Sequence, residues 1–181
     1  MNHNYTAINK NVKIRQVTCE DLEKLRLWRN DKKNTKYLSD IPLITSDMQK
    51  KWFENYLNNE NEIIFAIEEI VELNTLVGSM ALYNFEESSA EFGKILIGES
   101  NAHGKKIGQN SIEAILEFAF FILNLSYVFL HVYAENTPAI KVYKNVGFQE
   151  EERYNTKNGK EILMTINKVD YSKVRGRNNG T

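Results

Sequence analysis

Residues 127–148 read YVFLHVYAENTPAIKVYKNVGF, and this stretch decides the fold. Its first part is rich in aromatic and β-branched residues, the composition of a strand. Thr137-Pro138 then opens a helix, because proline at the first helical position lacks only a donor that would be unpaired anyway; Gly147 supplies the matching stop. Upstream, a long helix runs from about Ile107 to Leu123, with Ile112, Ile115, Leu116, Ala119, Phe120 and Leu123 on its buried side. EFGKILIG at 91–98 precedes that helix as a further strand. Strand, long helix and strand in succession require a right-handed parallel crossover, so the sheet is mixed and the class is α/β or α+β.

Outward from this unit the pattern continues. IIFAI from Ile63, LVGSMALY and EFGKILIG form an antiparallel meander, with turns at Glu72-Leu73-Asn74 and from Glu86 to Ser89. Val12 to Val17 is a first strand. Thr18 with Asp21 makes an approximate capping box for a helix carrying Leu22, Leu25, Leu27 and Trp28, and Ser46 with Gln49 starts a second helix striped by Trp52, Phe53, Tyr56 and Leu57. Asn158-Gly159 suits a tight turn in a closing hairpin before EILMTINKV. The total is about seven strands and about four helices. Residues 1–10 and 172–181 lack apolar periodicity and are expected as a flexible and a disordered tail around one domain, 11–171.

Composition narrows the function. With 181 residues, 23 basic and 24 acidic side chains and a net charge of −1, the chain lacks the basic excess of a nucleic-acid binder. Cys19 is the single cysteine, so neither an internal disulfide nor a thiolate-paired metal site is expected. The opening MNHNYTAINKN lacks signal-peptide character, and the longest apolar stretch, Ile115 to Leu123, is too short to span a bilayer and is interrupted by Glu117. A cytoplasmic protein is expected, with no membrane partner and no metal.

Chemistry concentrates at NAHGKKIG, 101–108, where a strand passes through a loop into a helix. A helix N-terminus presents unpaired amide donors and partial positive charge, and His103, Lys105 and Lys106 add cations, so the loop can receive phosphate groups. The segment after it resembles the second signature of the GNAT superfamily of acyl-CoA-dependent N-acetyltransferases. Asn136, Ala139, Ile140, Tyr143, Gly147 and Phe148 match that family's Asn-x-x-Ala-Ile-x-x-Tyr-x-x-x-Gly-Phe spacing, and the likeness extends over about 12–170.

The resemblance implies a mostly antiparallel mixed sheet whose central parallel strands splay, acetyl-CoA as co-substrate, and transfer to a primary amine by direct attack. Ile95, Leu96 and Ile97 would lie beside the pantetheine arm, and His103, Gly104, Lys105, Lys106, Ile107 and Gly108 would meet the phosphates. Asn136 and Lys144 would complete the coenzyme site. Tyr143 would protonate the leaving sulfur, or else pack as a helix tyrosine. Glu91 is the candidate base, with His131 or water as alternatives. The loop departs from the family's Arg/Gln-x-x-Gly-x-Gly/Ala pattern, since His103 takes the first position and Lys106 the middle glycine. Trp28-Arg29-Asn30 resembles the amino-sugar branch, which implies that these residues, with Tyr83 and His131, bind a nucleotide-linked sugar; all three also have structural readings as core, ion pair and cap. Protein N-terminal acetylation and non-catalytic acyl-CoA binding are the other functions the scaffold implies, and a homodimer is an assembly it allows.

Overall fold

The computed structural model describes residues 3–37 and 42–178, with backbone alone at 177–178. Eight strands form one sheet in the order β1-β2-β3-β4-β5-β6-β8-β7. These are β1 (Ala7–Asn9), β2 (Val12–Gln16), β3 (Glu62–Glu69), β4 (Thr75–Glu86), β5 (Ser89–Ile97), β6 (Tyr127–Tyr133), β7 (Gln149–Thr156) and β8 (Gly159–Asn167). Every neighbouring pair is antiparallel except β5 and β6, the pair joined by the long-helix crossover. The helices are α1 (Leu22–Asn30), α2 (Ser46–Leu57), α3 (Ile107–Glu117), α4 (Thr137–Val146) and α5 (Lys168–Asn178).

The unbroken apolar run in β3 follows from burial on both faces. Ile63, Phe65 and Ile67 join a large core with α3 and α4, whereas Ile64 and Ala66 point to a smaller one holding Leu22, Leu25 and Tyr56 from the α1–α2 side. The strip between Glu117 and Leu123 leaves regular α-helix for a wider π turn over Phe118–Ile122, a local rewinding that periodicity alone does not reveal. Among the described residues no helix is long and apolar enough to cross a membrane.

Two segments expected as tails carry structure instead. Residues 7–9 pair with β2, where Asn9 donates to the Asn110 carbonyl at 2.8 Å and Lys10 meets Glu113 at 2.8 Å. A strand of three residues is fixed by distant partners, which local patterning cannot show. The other is α5, anchored by the Tyr171 hydroxyl, which donates to the Glu113 carbonyl and to Glu117, both at 3.0 Å. These two elements raise the count to eight strands and five helices among the described residues; tail positions 1–2 and 179–181 lie outside them. Smaller shifts also occur. Thr45 rather than Ser46 caps α2, its hydroxyl accepting from the Met48 amide at 3.2 Å, and the closing turn is residues 157–158, one earlier than expected.

Candidate active site

The parallel ladder between β5 and β6 covers only Ser89 to Glu91 against Tyr127 to Phe129. Past that point β5 keeps its pairing with β4 as far as Ile97 and β6 keeps its pairing with β8 as far as Tyr133, but the two central strands no longer pair with each other. The wedge between them is a cleft of about 400 Å³ whose walls include Tyr83, Glu91, Ile95, His131, Asn136 and Tyr143. Backbone groups on the β6 side of Ile95 to Ile97 have no ladder partner among the described residues. A ligand lying along that edge can therefore be held by main-chain hydrogen bonds.

Tyr143 enters the wedge from α4. Asn136 caps this helix, its side-chain oxygen accepting from the Ala139 amide at 3.4 Å, and Gly147 ends it at φ 114°, where an added Cβ would meet Ile166 and Val174 at 3.1 Å. The Tyr143 ring is 7% exposed and sits edge-on to Phe92 and Phe148, with centroids 6.2 and 5.9 Å away. Burial pushes its phenol up to about 12, so it stays protonated and can act as an acid at neutral pH.

Glu91 lies on the opposite face of β5 from Phe92 and its tyrosine neighbour. It is directly across from Tyr83, and Tyr83 is directly across from Glu62. Both Glu91 oxygens are anchored, Oε1 by the Tyr83 hydroxyl and Oε2 by the Asn84 side-chain amide, each at 2.8 Å. Burial, with the bond to Glu91 added, raises the Tyr83 pKa, which keeps that hydroxyl a donor. His131, the alternative base, is exposed, and its Nδ1 pairs with the Tyr154 hydroxyl, which also donates to Glu161 at 3.2 Å.

Two cations of the loop before α3 have intramolecular partners. The His103 ring folds back onto the Ile97 carbonyl at 3.0 Å, and Lys105 pairs with Glu72. Lys106 is exposed, with φ 58°, the left-handed conformation that the family's glycine would adopt freely. It accepts the Asn110 amide on its carbonyl at 2.9 Å, so the amides of Ile107 and Gly108 are among those left open at the helix start. Cβ atoms at Gly104 and Gly108 would meet nothing within 4 Å. An open cradle of amides beside an unpaired strand edge fits a pyrophosphate with its pantetheine arm. Lys144 stands apart on the outer side of α4, 3.8 Å from Glu150.

At the end of α1 the three expected substrate residues separate in role. Trp28 packs against Gly98, where an added Cβ would overlap the indole. Asn30 clamps the Ile44 main chain, donating to its carbonyl and accepting from its amide at 2.9 Å each. Arg29 is half-buried and lines both the wedge and a second cavity of about 280 Å³ under α1 and α2. It makes no hydrogen bond or ion pair among the described residues; burial lowers its pKa, and the charge of Glu62 offsets this in part. Sequence reading missed Glu62, Asn84 and Lys94, because cross-strand register and bulges assemble them.

The family described as Acetyltransferase (GNAT) domain matches residues 11–149. The chain belongs to the GNAT acetyltransferase family. It is 28% identical over 146 residues to the spermidine N(1)-acetyltransferase of Vibrio cholerae, covering 80% of this chain and 82% of that one. The crystal structure of spermidine N-acetyltransferase from Vibrio cholerae in complex with CoA and spermine superposes with a TM-score of 0.80 at 25% identity, over 91% of this chain and 99% of the other. Apo FdhC, a nucleotide-linked sugar GNAT, matches in fold with a TM-score of 0.83 at 20% identity, over 98% of both chains. The protein is an acetyl-CoA-dependent amine N-acetyltransferase.

Proposed function

We propose that the acetyltransferase acts by direct attack of an acceptor amine, with Glu91 as base and Tyr143 as acid, and that the acceptor is a nucleotide-linked amino sugar. Acetyl-CoA supplies a thioester whose carbon accepts the amine and whose sulfur leaves. As the nitrogen–carbon bond forms and the carbon–sulfur bond breaks, Glu91 takes the amine's proton directly or through a water. Tyr143 gives its proton to the sulfur and recovers one from solvent. The two groups approach from opposite faces of the sheet and line one cleft, which suits proton removal on the acceptor side and proton delivery on the coenzyme side.

Arg29 carries the acceptor reading. Among the described residues no anion hydrogen-bonds this half-buried guanidinium, a costly arrangement, and an acceptor phosphate would supply a partner in bidentate form. Spermidine is the second reading, favoured by the Vibrio cholerae relative and by Glu62, Glu91 and Glu161 around the two cavities. Release of free thiol across a panel of nucleotide-linked 4-amino sugars, polyamines and peptides with free N-termini separates these. Turnover of the sugar nucleotide, with an acceptor KM that rises about tenfold or more in Arg29→Met, is the expected result. Turnover of polyamines alone, unaffected or improved in Arg29→Met, overturns it.

A further inference from the structure

Lys94 sits at a bulge. Ala81 faces Gly93 and Ser79 faces Leu96, so two β5 residues oppose Met80, and Lys94 takes φ 53°. The twist carries its side chain over the Tyr83 ring, with Nζ 4.5 Å from the centroid, to an ion pair with Glu62. Asn84, at φ 50°, occupies a second irregular position on β4, where the pairing slips between Tyr83 and Glu86. Both conformations are unfavourable for ordinary residues, though least so for asparagine. Gly93 completes the setting, since a Cβ there would come within 2.6 Å of the Tyr83 hydroxyl and push it off Glu91. The ring is thus held by a glycine at its hydroxyl end and a cation on its face. A cation over an aromatic face is attracted to its negative centre, which favours this ring position over others.

We propose that Asn84 and Lys94 are positioning residues for Glu91: Asn84 holds one carboxylate oxygen directly, and Lys94, itself placed by Glu62, holds the other through the Tyr83 ring. A carboxylate has about four lone-pair sites, so two anchored sites leave two for the acceptor amine or its water. The two left-handed irregularities flank the residue at which the sheet opens, and each delivers one restraint to the same side chain.

This inference rests on Glu91 being the base, and the experiment separates the two claims. Asn84→Gly removes the donor while tolerating the backbone angle, Lys94→Met keeps the stem without the charge, and Lys94→Arg restores a cation. Steady-state kinetics are measured for each, alone and combined with Glu91→Gln. The expected result is a loss of about tenfold in kcat for Asn84→Gly and Lys94→Met, with unchanged KM for acetyl-CoA and recovery in Lys94→Arg. Both losses should vanish in the Glu91→Gln background, as for residues acting through one group. Losses that persist there, or kcat values left at the wild-type level by both variants, overturn the positioning role while leaving the base in place. If Glu91→Gln alone keeps full kcat, the base assignment fails and the positioning role falls with it.

Discussion

Glu91 and Phe129 form the last rung of the parallel ladder, and the residue after Glu91 already packs on the tyrosine that faces the opening. Phe92 and Glu91 point to opposite faces, so a single step along β5 reaches both sides of the wedge.

Replacing Tyr143 by Phe should therefore affect chemistry far more than binding. The ring contacts with Phe92 and Phe148 survive the change, so the fold and the coenzyme affinity should hold. We expect kcat to fall by about 100-fold or more, the usual scale for a lost general acid. Isothermal titration with CoA beside steady-state kinetics checks it, and unchanged turnover removes Tyr143 from the acid role.

Lys106 combines a useful charge with an unfavourable backbone angle. Lys106→Gly relieves the angle, whereas Lys106→Ala loses the charge and keeps the strain. Thermal denaturation should place the glycine variant about 1 kcal/mol above the alanine variant. Both should bind coenzyme less tightly at low salt by a few tenths to about 1 kcal/mol, and the difference should shrink as salt is added. Equal melting temperatures for the two would show that the left-handed angle carries no cost.

Asn11 ties the turn between β1 and β2 to the coenzyme loop. It donates to the Lys105 carbonyl at 3.1 Å and accepts from Asn110 at 2.6 Å. Asn11→Ala should cost about 1–3 kcal/mol of stability and weaken coenzyme binding, leaving the acceptor KM unchanged. A coenzyme affinity equal to the wild type would mean that the loop holds its shape without this tie.

Arg15 and Asp21 supply a pH-dependent element. Arg15 grips both Asp21 oxygens at 2.7 and 2.8 Å, and the Thr18 amide donates at 2.8 Å. Burial alone would raise the Asp21 pKa, but these partners outweigh it and hold the carboxyl below its ordinary value. Its contribution is thus present above about pH 4, the unfolded value, and is lost as pH falls through the lower folded one. Asp21→Asn should cost about 2–3 kcal/mol at neutral pH, with a flatter stability curve at acid pH. Urea denaturation across pH 2–7 reads both effects, and parallel curves for the two proteins would refute them.

Much of this architecture is legible in the sequence wherever a local signal is self-sufficient. Asn136, Pro138 and Gly147 cap and stop α4 by their own chemistry, and the strand before them needs no distant partner to be recognised. The first strand is different, because Ala7–Asn9 is held by Asn110 and Glu113, about a hundred positions away. In the wedge, Tyr143 and Glu91 are the residues the family resemblance points to, but the fastening of Glu91 depends on register between β4 and β5 and on two bulges. Asparagine in the turn-like Tyr83-Asn84 stretch and the Gly93-Lys94 pair are the only traces a reader of the chain could have used. The cations of the loop are the opposite case: their charges are visible in the chain, while the Ile97 carbonyl and Glu72 carboxylate that meet His103 and Lys105 are not.

The hydrogen bonds joining the first hairpin to α3 and the loop before it should make these elements open together. Amide hydrogen exchange in β1 should then slow when coenzyme is bound, although no coenzyme atom need touch those residues. The opening hairpin would serve as an internal reporter of occupancy at a loop nearly a hundred residues further along the chain.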